Sequence, residues 1–96
     1  DLNNYSIVTK LTYGNNRFLF TGDAEKESEN EMLSKGYDLS CDILKLGHHG
    51  SSTSTTNKFL TATSPAIAIV SCGKDNDYGH PHKETMNRLN NDHITV

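Results

Sequence analysis

Apolar and polar residues alternate along residues 5–13, YSIVTKLTY, where β-branched and aromatic side chains recur. A period of two with these residue types predicts a half-buried β-strand. Residues 14–16 (Gly-Asn-Asn) predict a turn, because glycine and asparagine tolerate positive φ, and residues 17–21 predict the returning strand. The chain is therefore expected to open with a β-hairpin.

Residues 24–35 predict a surface helix, because acidic residues crowd its early turns, where the helix dipole favours them. Downstream the pattern predicts a buried strand at 42–46, a helix at 55–63 capped by Thr55 or Thr56, a central apolar strand at 66–71, a helix at 83–91 and a last strand at 93–96. The order β-β-α-β-α-β-α-β predicts α/β layering in a single partial domain over residues 1–96.

The composition indicates a chain with few hydrophobic residues to form a core of its own. Its 96 residues are 33% hydrophobic and 7% aromatic, so we expect them to form part of a larger fold. The net charge of −3 gives no support for non-specific nucleic-acid binding, although bound metal can supply positive charge for a phosphate. No stretch approaches the ~20 apolar residues of a transmembrane helix. Cys41 and Cys72 are expected to be reduced thiols, with a disulfide as the alternative.

Three loops, each following a predicted strand, hold nearly all the chemically unusual residues: 21–23 (TGD), 47–51 (GHHGS) and 76–82 (NDYGHPH). In a layered α/β fold, loops at the same end of a sheet converge on one crevice. A carboxylate and neutral imidazoles at that place are suitable ligands for Zn²⁺ or Mn²⁺. Glycines beside them let the backbone approach a metal or a substrate closely.

Each loop also has an ordinary structural explanation. Asp23 can cap the following helix, the His48-His49 pair can be a solvated loop, and Pro81 can open a helix. The hydroxylic run at 51–54 is typical of turns and caps. Four of the five histidines nevertheless fall in two loops placed after apolar strands, which favours a shared site.

The segments FLFTGDAE, DILKLGHHGSSTST and SCGKDNDYGHPHKE, in that order and spacing, resemble the C-terminal part of a metallo-β-lactamase-fold hydrolase. The resemblance is in particular to the domain found in ComEC-type competence proteins, and it extends from NNYSIV to HITV. It implies an α/β fold that forms the C-terminal half of an αββα sandwich. The GHHGS and YGHPH elements are fairly specific to this subgroup, whereas TGD alone is not.

The resemblance also implies roles for individual residues. Asp23 matches an aspartate that bridges two divalent metal ions, Zn or Mn, in the complete domain, and His48 matches a metal ligand. Whether His48 or His80 is the stronger ligand stays open, and we rank His48 first. His49 and His80 are the candidates for positioning a substrate phosphate or protonating the leaving oxygen.

Three further residues are candidates for the substrate side of the site, Asn76 and Tyr78 by the same resemblance. Asn76 and Tyr78 are expected to shape its rim, and Ser51 is expected to contact the substrate, with a turn or capping role as its alternative.

One departure from the family pattern limits what this chain can do alone. The principal metal motif of the superfamily, HxHxDH, precedes TGD, whereas no histidine precedes His48 here. We therefore expect a fragment whose N-terminal half is missing, with weak or absent turnover; a degenerate module is the alternative.

The function implied is metal-dependent hydrolysis of a phosphodiester, with DNA as a candidate substrate and a link to DNA uptake. The alternatives are an esterase for small or cell-wall phosphodiesters of the phosphorylcholine type, and a non-catalytic interaction module of a larger membrane uptake protein. A ComEC-like role implies a place at the cell envelope, through a larger parent protein; otherwise the cytoplasm is expected.

Overall fold

A computed structural model describes residues 7–73 and 79–96 as a mixed four-stranded sheet with three α-helices. The elements in chain order are β1 Thr9–Tyr13, β2 Asn16–Phe20, α1 Lys26–Ser34, β3 Ile43–Lys45, a short 3₁₀ turn Gly47–Gly50, α2 Asn57–Thr63, β4 Ile67–Ile69 and α3 Lys83–Asn91. The α/β class is confirmed, and so is the predicted order of elements as far as α3. The predicted rim residues Asn76 and Tyr78 lie outside the described residues.

The sheet has the strand order β1-β2-β3-β4. β1 and β2 form the predicted antiparallel hairpin, while β3 and β4 run parallel to β2. Because β2, β3 and β4 share a direction, their carboxyl ends lie at one edge of the sheet. The segments that follow them, which begin at Thr21, Leu46 and Val70, therefore start at that edge.

One face of the sheet carries the core. Leu19, Leu44 and Ala68 are directly opposite one another in the strand register and are all buried. Phe59 and Leu60 of α2 and Leu89 of α3 belong to the same buried cluster, and Met32 and Leu33 of α1 pack against it. The three helices therefore cover this face, and burial of these side chains is the main favourable contribution to folding.

The opposite face of the sheet is also apolar. The register aligns Leu11, Phe18, Ile43 and Ile67 in one row across all four strands. The next row contains Phe20 and Ile69, with Lys45 between them. Leu11, Phe20, Ile67 and Ile69 are each between 41% and 51% exposed. We call this the open face of the sheet. Its apolar character marks it as a surface suited to burial against another layer.

Three sequence predictions need correction. The strand predicted at 66–71 is shorter than expected and covers only Ile67–Ile69. It was also expected to be a buried central strand, but Ile67 and Ile69 are half exposed because they point to the open face. The strand expected at 93–96 is reduced to an isolated parallel bridge between Ile67 and Thr95.

The third correction concerns the acidic helix α1, which was expected to present only a solvated face. Glu29 of α1 is 1% exposed. Its carboxylate accepts hydrogen bonds from the backbone N–H groups of Thr55 and Thr56 and from the Thr56 hydroxyl. A buried carboxylate is tolerated there because three donors satisfy it.

Among the helices within residues 7–73 and 79–96, none has the length and apolar character needed to cross a membrane.

Candidate metal site

Asp23, His48, His49 and His80 line one cavity of about 200 Å³ at the carboxyl edge of the parallel strands. Asp23 comes after β2, the two adjacent histidines come after β3, and His80 comes from the segment between β4 and α3. The convergence of three loops that the sequence predicted is therefore present.

A larger groove of about 430 Å³ lies between the C-terminal ends of α2 and α3. Among the described residues that line it, the titratable ones are Asp92 and His93. Volume alone does not identify a site, and the clustering of a carboxylate with three imidazoles makes the smaller cavity the better candidate.

The backbone around the histidine pair is unusual. His48 and His49 have φ values of 50° and 54°, a left-handed conformation that non-glycine residues seldom adopt. The His48 amide donates to the Gly22 carbonyl at 2.8 Å, which ties this turn to the loop that carries Asp23. At Gly47 a Cβ atom would lie 2.7 Å from Thr21 Oγ1, so a glycine is needed for this close approach.

Hydrogen bonds behind the His48 ring assign its tautomer. Nδ1 of His48 is 3.3 Å from Thr53 Oγ1 and 3.4 Å from Glu25 Oε2. The Thr53 hydroxyl donates its proton to Glu25 Oε2 at 2.8 Å, so it meets the ring as an acceptor. The neutral ring therefore carries its proton on Nδ1 and its lone pair on Nε2.

His49 has the same tautomer for a different reason. Its Nδ1 is 2.7 Å from the carbonyl oxygen of Ser71, which can only accept a hydrogen bond, so Nδ1 is the protonated nitrogen. Its Nε2 lies 3.9 Å from Asp23 Oδ1. A histidine whose second nitrogen donates to a backbone carbonyl has the orientation that metal-ligating histidines show.

His80 lies among the other three imidazoles. Its ring centroid is 5.6 Å from that of His48, 6.0 Å from that of His49 and 4.8 Å from that of His82. Desolvation lowers the pKa of His80, and electrostatic repulsion from the nearby rings of His82, His48 and His49 in their protonated forms lowers it further. The neutral form of this ring is therefore favoured near pH 7.

His82 is the second histidine of the HPH element and directs its Nδ1 to the loop formed by residues 50–55. The Ser52 amide donates to His82 Nδ1 at 2.9 Å, and the His82 amide donates to the Gly50 carbonyl at 3.0 Å. Thr85 of α3 donates its hydroxyl proton to the Ser51 carbonyl at 3.0 Å. These bonds attach the start of α3 to the loop that follows the histidine pair.

Arg88, one turn further along α3, holds the same loop. Its Nη1 donates to the carbonyls of Ser54 and Thr55 at 3.1 and 3.2 Å, and its Nη2 donates to the Ser52 carbonyl at 3.3 Å. Glu29 of α1 accepts from amides at the end of this loop. The loop is thus held from two helices: Arg88 of α3 binds its carbonyl groups, and Glu29 of α1 binds its amide groups.

The predicted substrate-side residue Ser51 does not line the cavity within the described structure. It is 3% exposed, and its hydroxyl lies 2.9 Å from Thr53 Oγ1. This geometry is that of the turn and capping alternative rather than of a direct substrate contact.

The described residues fit the predicted metal site only in part. The chemistry of the donors suits a divalent ion, because a carboxylate and imidazoles with lone pairs on Nε2 surround one cavity. In residues 7–73 and 79–96, however, no group of three or more His, Cys, Asp or Glu side chains has positions that could hold a metal ion. The described residues therefore offer an incomplete ligand set.

Sequence reasoning missed Glu25, Thr53 and His82 as parts of the site. Glu25 was counted with the acidic helix and Thr53 with the turn residues. The sequence did contain one indication, because Glu25 lies in the same short segment as Asp23, and Thr53 lies in the same short segment as His48. Glu25 and Thr53 are in contact although they are 28 residues apart in the sequence, and no local sequence pattern predicts this contact.

Comparison with known families decides the relationship. The family model of the metallo-beta-lactamase superfamily matches residues 1–74. The chain belongs to the metallo-beta-lactamase superfamily. Its two-layer arrangement of helices on one face of a mixed sheet accords with the predicted half of the αββα sandwich, and members of this superfamily generally bind divalent metals.

Individual relatives of this chain are ComEC-type competence proteins. It is 40% identical over 94 residues to ComE operon protein 3 of Bacillus subtilis, which is 98% of this chain and 12% of that protein. It is 40% identical over 90 residues to Competence protein ComA of Neisseria gonorrhoeae, which is 93% of this chain and 13% of that protein.

A third relative is Recombination protein 2 of Haemophilus influenzae, at 40% identity over 87 residues, which is 91% of this chain and 11% of that protein. The resemblance to ComEC-type proteins is thereby confirmed. The chain spans about an eighth of the length of these curated relatives, as shown by its 12% share of the Bacillus subtilis protein.

Proposed function

We propose that this chain contributes the C-terminal half of a divalent-metal site that hydrolyses phosphodiesters, in a protein that serves DNA uptake. The observation that carries the proposal is the cavity lined by Asp23, His48, His49 and His80, in which the rings of His48 and His49 are both held with the lone pair on Nε2. The similarity to competence proteins supports the link to DNA uptake.

The chemistry that two divalent ions, Zn or Mn, supply when bound is activation of water at neutral pH and stabilisation of charge on a phosphoryl oxygen. Asp23 would hold both ions, because each carboxylate oxygen can bind one. His48 would ligate one ion through Nε2. The remaining ligands would come from outside the described residues, since the set present is incomplete.

The other two imidazoles would act on the substrate. His49 and His80 stand on the cavity wall and can orient a phosphoryl oxygen by hydrogen bonding. The pKa of His80 is lowered by desolvation and by the neighbouring histidines, so its ring is mostly neutral near pH 7. A neutral imidazole donates a hydrogen bond without carrying a full charge, which suits positioning better than protonation of the leaving oxygen.

The partner that completes the site would be an N-terminal half of the same domain. The open face of the sheet supports this, because its apolar rows are 41–51% exposed at Leu11, Phe20, Ile67 and Ile69. Covering such a surface is favourable by about 25 cal/mol per Å² of apolar area. One additional layer would therefore complete both the core and the ligand set.

A non-catalytic interaction module is the second candidate. The incomplete ligand set favours it, because a chain without a third ligand in position binds metal poorly unless a partner supplies one. In that case the histidine cluster would be a structural part of the loop and would not change a substrate.

Metal content measured by elemental analysis tests the proposal. The 96-residue chain and a polypeptide extended on its N-terminal side would each be compared with Asp23→Ala and His48→Ala variants. His93→Ala is the matched control, because His93 is an exposed histidine that does not line the cavity.

We expect near-stoichiometric Zn or Mn in the extended protein, retained in the His93 variant and lost in the other two. Hydrolysis rates on DNA and on a small chromogenic diester would then identify the substrate class. Absence of metal from the extended protein would refute the proposal and leave the interaction module.

A further inference from the structure

Glu25 lies directly before α1 and occupies its N-cap position, yet its side chain forms no capping hydrogen bond with the helix. The side chain is only 13% exposed and faces the opposite way, towards the loop of residues 50–55. A carboxylate in that location has a use other than helix capping, because capping would require it to accept from the first amides of α1.

The contacts of Glu25 lie behind the His48 ring. Its Oε2 accepts the Thr53 hydroxyl proton at 2.8 Å and lies 3.4 Å from His48 Nδ1. Thr53 has one hydroxyl proton, so its oxygen can meet His48 Nδ1, 3.3 Å away, only as an acceptor. Both groups that face Nδ1 therefore require a proton on that nitrogen.

We infer that Glu25, acting together with Thr53, is a positioning residue that holds the neutral His48 ring with its proton on Nδ1 and its lone pair on Nε2. The segment TGDAE then contains two carboxylates with different tasks. Asp23 lines the cavity, and Glu25 orients the imidazole on the cavity wall from behind. The purpose of this arrangement, presenting a ring nitrogen to a metal ion, rests on the proposed function; the arrangement itself does not.

The reason that the tautomer matters is chemical. A metal ion binds an imidazole nitrogen that carries no proton, and the hydrogen bond made by the other nitrogen sets which one that is. Carboxylates that accept from the second nitrogen of a ligating histidine also fix the plane of the ring, and their loss typically lowers metal affinity by about 10- to 100-fold.

Nitrogen-15 NMR of the metal-free protein tests the inference, because it distinguishes a protonated Nδ1 from a protonated Nε2 at a pH where histidine is neutral. The His48 signals would be identified by their loss in His48→Gln. In the wild type we expect the proton on Nδ1. In Glu25→Ala the Thr53 hydroxyl loses its carboxylate acceptor and can donate to Nδ1 or to Ser51 Oγ, 2.9 Å away, so the fraction of rings with the proton on Nε2 should rise.

Two controls separate this effect from a general disturbance. Glu27→Ala removes an exposed acidic side chain from the first turn of the same helix and should leave the His48 signals unchanged. Thr53→Val removes the hydroxyl but keeps Glu25, so the proton should stay on Nδ1. Glu25→Gln keeps the side-chain size if the alanine variant does not fold, and it should give a smaller shift in the same direction.

A proton on Nε2 of His48 in the wild type, or an unchanged His48 in both Glu25 variants, would overturn the inference. Metal affinity is the second readout in the extended protein, where Glu25→Ala should weaken binding by about 10- to 100-fold relative to Glu27→Ala. If the extended wild type binds no metal, the proposed function fails while the tautomer result still decides the role of Glu25.

Discussion

Replacement of Arg88 by methionine should release the loop of residues 50–55 from α3. The guanidinium group donates to three backbone carbonyls, those of Ser52, Ser54 and Thr55, through two of its nitrogens. Methionine fills a similar volume and offers no donor. The carbonyls would then have to find water, in a region where Ser54 and Thr55 are buried.

The magnitude follows from counting the nitrogens involved. A hydrogen bond to a charged group contributes about 1.5–3 kcal/mol. Two nitrogens share three acceptors, and Arg88 is only partly buried, so we expect a loss of about 2–4 kcal/mol in the free energy of unfolding. A domain of this size has a total of about 5–14 kcal/mol. The midpoint of thermal unfolding should fall by roughly 10–25 °C.

Urea unfolding followed by circular dichroism measures this loss. Arg88→Lys retains the charge without the forked geometry and should fall between the wild type and the methionine variant. Lys83→Met, at the exposed first residue of α3, is the control and should change stability by less than about 0.5 kcal/mol. A loss below about 0.5 kcal/mol in Arg88→Met would show that the three hydrogen bonds do not hold the loop.

Two other perturbations give distinct signatures. Hydrogen bonds from Arg17, first from its backbone amide and then from its guanidinium, lower the pKa of Asp42. The ionised carboxylate therefore stabilises the fold above its unfolded-state pKa of 3.8, and this contribution is lost as the pH falls through the lower pKa of the folded state. Asp42→Asn should therefore reduce the acid dependence of urea unfolding below that pH; an unaltered pH profile would exclude this pair as a source. Gly50→Ala should destabilise the chain more than Gly14→Ala, although both glycines have positive φ. A Cβ atom at Gly50 would lie 2.7 Å from Pro81 Cβ, whereas a Cβ atom at Gly14 would meet open space among the described residues. Equal losses on thermal unfolding would contradict the steric argument.

Local pattern was sufficient for much of the fold. The helix predicted at 83–91 is α3 with the same bounds, and Thr56, one of two predicted caps, accepts from the Phe59 amide at the start of α2. Both are short-range features, set by periodicity and by a side chain acting within one turn. The hairpin was predictable for the same reason, since its turn consists of residues that tolerate the required φ.

What local pattern could not supply was the partner of each polar side chain. Glu29 was placed on a solvated face because its neighbours in α1 are acidic, yet it is buried by contacts with Thr55 and Thr56. The link between Glu25 and His48 was missed in the same way. Long-range hydrogen bonds depend on how the elements pack, and one sequence contains no periodic trace of that packing.

The open face of the sheet has a consequence for how the polypeptide must be produced in the cell. If Ile67 and Ile69 are buried only when the proposed N-terminal layer is in place, a nascent chain that emerges with that layer already folded is protected as soon as β4 forms. A proteolytic cut or a premature stop that separates the two would leave an apolar sheet in water. Such a product is expected to aggregate or to be retained by chaperones more readily than a protein with both layers, which favours production of the two layers as one polypeptide.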